Sequence, residues 1–562
     1  MDNQEKAKKF FLEGINLFIK EEFDQAIIEF KKSLELQPKR GSIILNLSKT
    51  YFKVKNYKKA KDHLEKLISF SVSLEEKKEA LSLLYEVYIN LDDIHGIEKL
   101  KKISSSEDYF DDFTKMKLNL YYPKLFDSVD QIKNFRKGYS ENIKKILYEE
   151  NLNTLNLEKN PLVPPNFWLS YDGEDNLEIN KKFTKLFKKI YPELNQLDLK
   201  DTVRNKKIKI GFISEFFTNH TILKLFEGII YKLDKSKFDV YIFYSDKTLP
   251  GTRYEELKRN SMMYDYENVF LPENFYQKVN LIKEKCLDIL FYTDIHMSQN
   301  LYYLTLIRLA KIQMTSWGHP ETTGNSKIDY FLSSKFLEIE DCQKRYSEKV
   351  LLSNYLPMYF YKPKVINQLR EDLMIKKNIY SCPQNLIKMH PSFDLAINKI
   401  LKKDKKAEIY FIKDSNEELT KKFFNRLKKT VTTNIDRIYF KEKLTVEQFI
   451  NDCGKSSVLL DPFIFGAGNS FHESMYYGTP TVTMPTKYLK SRIVTGAYNQ
   501  MEIENPPIAK EVEEYVDLCV EFANNINLDL KKYYSEQANK NLFENEKVIQ
   551  DLELKFESIV SN

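Results

Sequence analysis

SVLLDPFIFGAGNSFHESMYYGTPTVTMP, Ser457 to Pro485, reads as a strand, a glycine-containing loop, a helix and a second strand. The apolar run ends at Asp461, Gly466 and Gly468 allow a backbone to approach a ligand closely, and a helix begins near Ser470. The unpaired N–H groups of Asn469, Ser470 and Phe471 then point at an anion, favoured by the helix dipole, which makes a diphosphate cradle. Glu473, one turn into the helix, can accept from vicinal ribose hydroxyls. Ser470 and Glu473 also spell a capping box, which needs no ligand, and the two readings stand side by side.

Working outward, short β-rich runs alternate with helical segments on both sides. KIKIGFIS, FDVYIFYS, DILFYT, IQMTSW, IDYFLSS and VLLSNYL form one series; NLIKMH, EIYFIKD, RIYFKEK, SVLLDPF and TVTMP form another. These runs lack polar–apolar alternation, as strands covered on both faces by helices do. The fold class is therefore α/β, two doubly wound lobes joined near 365–380 with a cleft between them. Neither GxGxxG after the first strand nor a Walker A motif is present.

The amino-terminal hundred residues repeat at an offset of 34, with Gly14 on Ser48, Leu17 on Tyr51, Phe23 on Tyr57 and Ala26 on Ala60. That is the tetratricopeptide period, and a degenerate third unit is expected from about Lys77 to Ile103, with Gly96 where alanine belongs. The expected domains are repeats over 1–104, a helical linker over 105–204, an amino-terminal lobe over 205–370 and a carboxy-terminal lobe with terminal helices over 371–562. The linker has a proline break at NPLVPPNFW and an amphipathic helix from Ile179, with no legible function.

Lys+Arg exceed Asp+Glu by 87 − 81 = 6, scattered rather than blocked, so no nucleic-acid partner is implied. Cys286, Cys342, Cys382, Cys453 and Cys519 lie far apart without CxxC, which suggests neither disulfides nor zinc. With no apolar signal core and no membrane-length apolar run, a cytoplasmic protein without a membrane span is expected.

Lys388, in NLIKMHP, sits at the end of what reads as the first strand of the second lobe, where a cation faces the same cleft as the loop. Five of the seven histidines, His220, His296, His319, His390 and His472, also follow predicted strands, where open α/β sheets bind ligands.

WGHPETTG (Trp317 to Gly324), KMHP (Lys388 to Pro391) and the Leu460–Pro485 stretch resemble glycosyltransferase family 41. This family holds the O-GlcNAc transferases, Spindly and the bacterial cytoplasmic N-glucosyltransferases of adhesins. The likeness spans roughly 205–560 and the repeats. It implies a GT-B arrangement of two facing Rossmann-like lobes, a UDP-sugar donor, inversion at the anomeric carbon, neither metal nor cofactor, and a protein acceptor presented by the repeats. By the same resemblance Lys388 binds pyrophosphate, the loop at Gly468, Asn469 and Ser470 cradles the phosphates, and Glu473 meets the ribose. Leu444 and Phe449 complete the donor-binding set. His220 matches an active-site histidine, His296 falls where Spindly-like members have Gly-His-Thr, and His319 matches the Gly-His-Pro of the adhesin enzymes.

This chain departs from the pattern at Val446 and Phe449, where animal enzymes have a lysine and a histidine near uracil. It departs again at Ile295, Phe471 and His472, each in place of a smaller residue, while Asp288 stands where animal enzymes have a histidine and plant and bacterial relatives also have Asp-Ile-Leu. The expected activity is transfer of GlcNAc or glucose to protein Ser/Thr or Asn, with His220, His296, His319 and Lys388 as catalytic candidates. A small-molecule or glycan acceptor, or a decayed binding scaffold, are the other readings.

Overall fold

A computed structural model describes residues 2–70, 72–150, 152–164, 166–199, 206–218, 220–245 and 266–561. The chain forms two compact units, Met1–Lys124 with Asn416–Lys421, and Leu125–Ser415 with Lys422–Asn562.

In the first unit, helices Asn3–Ile19 and Phe23–Leu36, Gly41–Lys53 and Tyr57–Ser69, and Leu74–Leu91 and Ile94–Ser106 stand as successive pairs. The repeat is geometric as well as textual. Phe18 meets Phe23 edge-on at 5.5 Å across the first turn, and Phe52 meets Tyr57 at 5.5 Å across the second, at the same tilt and the expected offset. Ala26 and Ala60 are fully buried, and a Cβ on Gly14 would lie 2.7 Å from the Phe30 ring, so the small residues set how closely the helices approach. Gly96 does the same in the third pair, where a Cβ would come within 2.5 Å of Tyr88. Asp112–Leu120 adds one more helix before the unit ends, so this unit extends beyond the expected boundary at 104.

The second unit holds two parallel sheets. The first contains β1 (Ile208–Ile213), β2 (Phe238–Ser245), β3 (Glu267–Leu271), β4 (Ile289–Tyr292), β5 (Ile312–Ser316), β6 (Tyr330–Ser334) and β7 (Lys349–Ser353), in the order β3-β2-β1-β4-β5-β6-β7. The second contains β8 (Ile379–Cys382), β9 (Glu408–Ile412), β10 (Ile438–Lys441), β11 (Val458–Leu460) and β12 (Thr481–Val482), in the order β10-β9-β8-β11-β12. All neighbouring strands run parallel. Both orders reverse once, between β1 and β4 and between β8 and β11, and ligands bind outside the carboxyl ends of strands at such switch points.

Three details differ from the sequence reading. NLIKMH is not a strand: the first strand of the second lobe is β8, Pro383 follows it, and Leu386–Lys388 forms a 3₁₀ turn capped by the Asn385 side chain. The carboxy-terminal helix Glu546–Ser561 packs on the first sheet, with Phe556 against Phe238 and Phe291, each at 6.3 Å, and Ser353 donating to Asp551. The region 105–204 is more than a linker, because helix Leu177–Ile190 buries Phe183, Leu186 and Phe187, and Phe187 packs on Tyr302 and Tyr303 of the first lobe. Its expected end at 204 lies outside the described residues. Among the described residues no helix is long and apolar enough to cross a membrane.

Candidate active site

The second lobe contributes two strand-end loops. After β11, the Asp461 carboxylate accepts from the Ala467 N–H at 2.6 Å and from the Thr483 hydroxyl at 2.7 Å, which closes the loop over its own base. Burial pushes this carboxyl up to about 7, opposed by those two donors and by Lys388. After β8, the Lys388 ammonium donates to the Gly466 carbonyl at 2.8 Å and to the Gln384 side-chain oxygen at 3.0 Å, and lies 4.8 Å from the centre of the Phe465 ring. Burial pushes Lys388 down to about 8, with Asp461 pulling the other way.

Gln384 also donates to the Ser470 hydroxyl at 2.6 Å, so one side chain connects the lysine to the loop after β11. Helix Asn469–Ser474 is a short one, with Gly468 as its N-cap and no side-chain cap. The capping-box reading of Ser470 and Glu473 therefore fails: Ser470 is engaged by Gln384, and Glu473 accepts from Lys224 of the first lobe at 2.6 Å. The Phe471 amide donates to the Gly468 carbonyl, so of the three amides expected to face an anion this one is engaged within the turn.

The first lobe contributes the loops after β1, β4 and β5. His220 caps helix Thr221–Lys232, its Nδ1 accepting from the Ile222 N–H at 3.3 Å, and its ring lies 4.7 Å from Phe216. Burial, then Lys224 and Lys443, push it down to about 4, so it is neutral at pH 7. With Nδ1 accepting, the neutral ring carries its proton on Nε2. Lys224 projects from the same helix one turn on.

His296 and His319 meet through their Nδ1 atoms at 3.0 Å, and His319 Nε2 lies 3.2 Å from the Ser170 hydroxyl. Burial holds both imidazoles neutral, His296 at about 3 and His319 well below its ordinary value. The structure brings these two together, but neither lines the cleft cavities. Beside them Gly318 fits against the end of β4 only because it has no side chain, as a Cβ would lie 1.9 Å from the Thr293 carbonyl oxygen.

Between the two sets of loops lie adjoining cavities of about 550 and 300 Å³. Among the residues they share are Thr221, Gln384, Asn385, Phe449, Asn469 and Glu473. The larger adds His220, Lys224, Leu444 and Val446; the smaller adds Lys388, Gly468, Ser470 and an apolar wall that includes Trp317, Leu225 and Ile493. Every donor-binding residue expected from the sequence thus lines one groove, together with His220. Lys224, Gln384 and Phe465 were missed; Lys224 carried a signal, four residues after His220 on the helix that opens the first lobe.

Residues 175–377 match the model of Glycosyl transferase family 41. Over that segment the chain is similar to family 41 glycosyltransferases. The matched segment holds all seven strands of the first sheet, with His220, His296 and His319, whereas Lys388, Ser470 and Glu473 lie beyond it on the second.

Among curated relatives, the UDP-glucose:protein N-beta-glucosyltransferase of Actinobacillus pleuropneumoniae serotype 5b is 23% identical over 293 residues, covering 50% of this chain and 46% of the relative. The probable UDP-N-acetylglucosamine–peptide N-acetylglucosaminyltransferase SPINDLY of Arabidopsis thaliana is 23% identical over 389 residues, covering 66% of this chain and 41% of the relative. The chain thus spans less than half the length of these relatives. A solved Thermobaculum terrenum O-GlcNAc transferase mutant superposes with a TM-score of 0.64 at 13% identity, over 100% of this chain and 99% of that one. At that identity the likeness establishes the fold: a GT-B pair of Rossmann-like lobes preceded by an all-α repeat region.

Proposed function

We propose that this protein transfers a sugar, GlcNAc or glucose, from a UDP-sugar to protein side chains, with inversion and without a metal. The observation that carries the reading is the convergence of Lys388, the Asn469 and Ser470 amides and Glu473 on one groove between the switch points of two parallel sheets. The names of the similar proteins, which give UDP-glucose or UDP-N-acetylglucosamine as donor and protein or peptide as acceptor, support it.

In this reading the uracil packs against Phe449, Val446 and Leu444, the ribose hydroxyls donate to Glu473, and the diphosphate meets Lys388 and the two amides. As the bond from the anomeric carbon to the diphosphate breaks, negative charge gathers where the ammonium and amides already point, so stabilisation requires no reorganisation. The acceptor oxygen or nitrogen attacks from the opposite face. His220 presents an N–H, not a lone pair, so it donates to the departing diphosphate, and the acceptor proton passes to a donor phosphate oxygen. His296 and His319 hold the loops after β4 and β5 in register. The tetratricopeptide unit presents the acceptor, in a cytoplasmic setting.

Incubation of the full chain with a panel of UDP-sugars and cell lysate, followed by intact-mass measurement and peptide mapping, tests this. A hexose or N-acetylhexosamine increment on lysate proteins, dependent on one UDP-sugar, supports it. No increment with any donor, alongside UDP-sugar turnover onto small molecules, overturns the protein acceptor.

A further inference from the structure

Glu473 reaches the groove from the second lobe, yet its partner belongs to the first. Lys224 Nζ lies 2.6 Å from Glu473 Oε1, and the two side chains are only 14% and 9% exposed. Both line the larger cavity, so the pair forms part of its wall and spans the cleft. Lys224 engages one carboxylate oxygen, and among the described residues no protein group bonds the other. A carboxylate this enclosed is costly without a counter-charge, and a lone glutamate on a short helix has rotamers that point away from the groove.

We propose that Lys224 is a positioning residue for the donor: its ammonium fixes the Glu473 carboxylate so that the free oxygen faces the ribose hydroxyls. The inference rests on the UDP-sugar reading of the groove. Because the two groups come from different lobes, the ribose site is complete only when the lobes are in the apposition seen here, and donor binding favours that apposition. His220 sits one turn earlier on the same helix, so the same apposition places the ring over the groove.

Calorimetric titration of UDP into the full-length protein and its variants tests this. Lys224→Met is expected to weaken UDP binding about tenfold and Lys224→Arg less than about threefold, because arginine keeps the counter-charge. Glu473→Gln is expected to weaken binding by at least as much as Lys224→Met. The Lys224→Met/Glu473→Gln double variant is expected to be no weaker than Glu473→Gln alone, since the lysine acts through the glutamate. Melting curves check folding, and Lys224→Gln replaces Lys224→Met if the latter does not fold.

Unchanged or tighter binding in a folded Lys224→Met protein overturns the proposal, as does a double variant that loses the product of the two single effects, which would place Lys224 directly on the ligand. If Glu473→Gln itself binds UDP like the parent, the donor reading fails first. If Glu473→Gln is weak and Lys224→Met is not, only the positioning role fails.

Discussion

The Lys388 ammonium donates to the Gly466 carbonyl at 2.8 Å, tying the turn after β8 to the loop after β11 at the switch point of the second sheet. The bond holds a cation in place before any anion arrives. In the proposed reaction, replacing Lys388 with alanine removes the charge assigned to the departing diphosphate, a loss of about 3–4 kcal/mol if it resembles removal of one oxyanion donor. Sugar transfer by Lys388→Ala is expected to fall at least about a hundredfold with the melting temperature not lowered. Activity within threefold of the parent would remove Lys388 from the mechanism.

The same lysine gives a pH dependence. Its folded-state pKa is pushed down to about 8 from the ordinary 10.5 by burial, so between those values the unfolded chain binds more protons than the folded one. Its contribution to stability rises with pH across that window and is lost as pH falls through about 8. A bound diphosphate favours the ammonium, so UDP affinity should decline above pH 8, approaching about tenfold per unit. Titrations from pH 6.5 to 9.5 should show this slope in the parent and a flatter profile in Lys388→Met.

Glu473→Gln separates ribose binding from structure less cleanly than the sequence alone suggests. A capping box would have accepted glutamine without loss, but the structure gives Glu473 an enclosed lysine partner. Weaker UDP binding, by about 1.5–3 kcal/mol, is therefore expected together with a lower melting temperature. A lower melting temperature with unchanged UDP affinity would reduce Glu473 to a bridge between lobes.

His220 both caps a helix and lines the groove, and asparagine can replace the first role without the second. His220→Asn is expected to keep the melting temperature within a few degrees and to lower kcat, whereas His220→Ala should lose about 1 kcal/mol of stability as well. Equal kcat in His220→Asn and the parent would leave the ring with capping alone.

Gly318→Ala tests the loop after β5. The added methyl meets the Thr293 carbonyl oxygen, a backbone atom, at 1.9 Å, and overpacking of this kind costs about 1–3 kcal/mol or more. Urea denaturation should show that loss. A variant as stable as the parent would mean that the loop relaxes freely.

Much of this arrangement is legible in the sequence because period and punctuation are local. The 34-residue offset returns as matched ring pairs across successive turns, and Asp461, Gly466 and Gly468 mark the loop after β11 correctly. What escaped depends on distant partners. NLIKMH looks like a strand by composition, but Pro383 and the Asn385 cap turn it. Ser470 and Glu473 fit a capping box by spacing, but Gln384 and Lys224, 86 and 249 residues away, claim them. His296 and His319 look equivalent to His220 as strand-end histidines, and only the fold turns them towards each other. The return of Phe556 to the first sheet leaves no local mark at all.

Calorimetric titration of UDP into the parent protein, with ADP and GDP as controls, tests the central claim most directly. Binding of UDP in preference to the other two, weakened in both Lys388→Ala and Glu473→Gln, is expected. A folded parent protein that binds no UDP, or binds it equally well without Lys388 and Glu473, would contradict the assignment of this groove to a UDP-sugar.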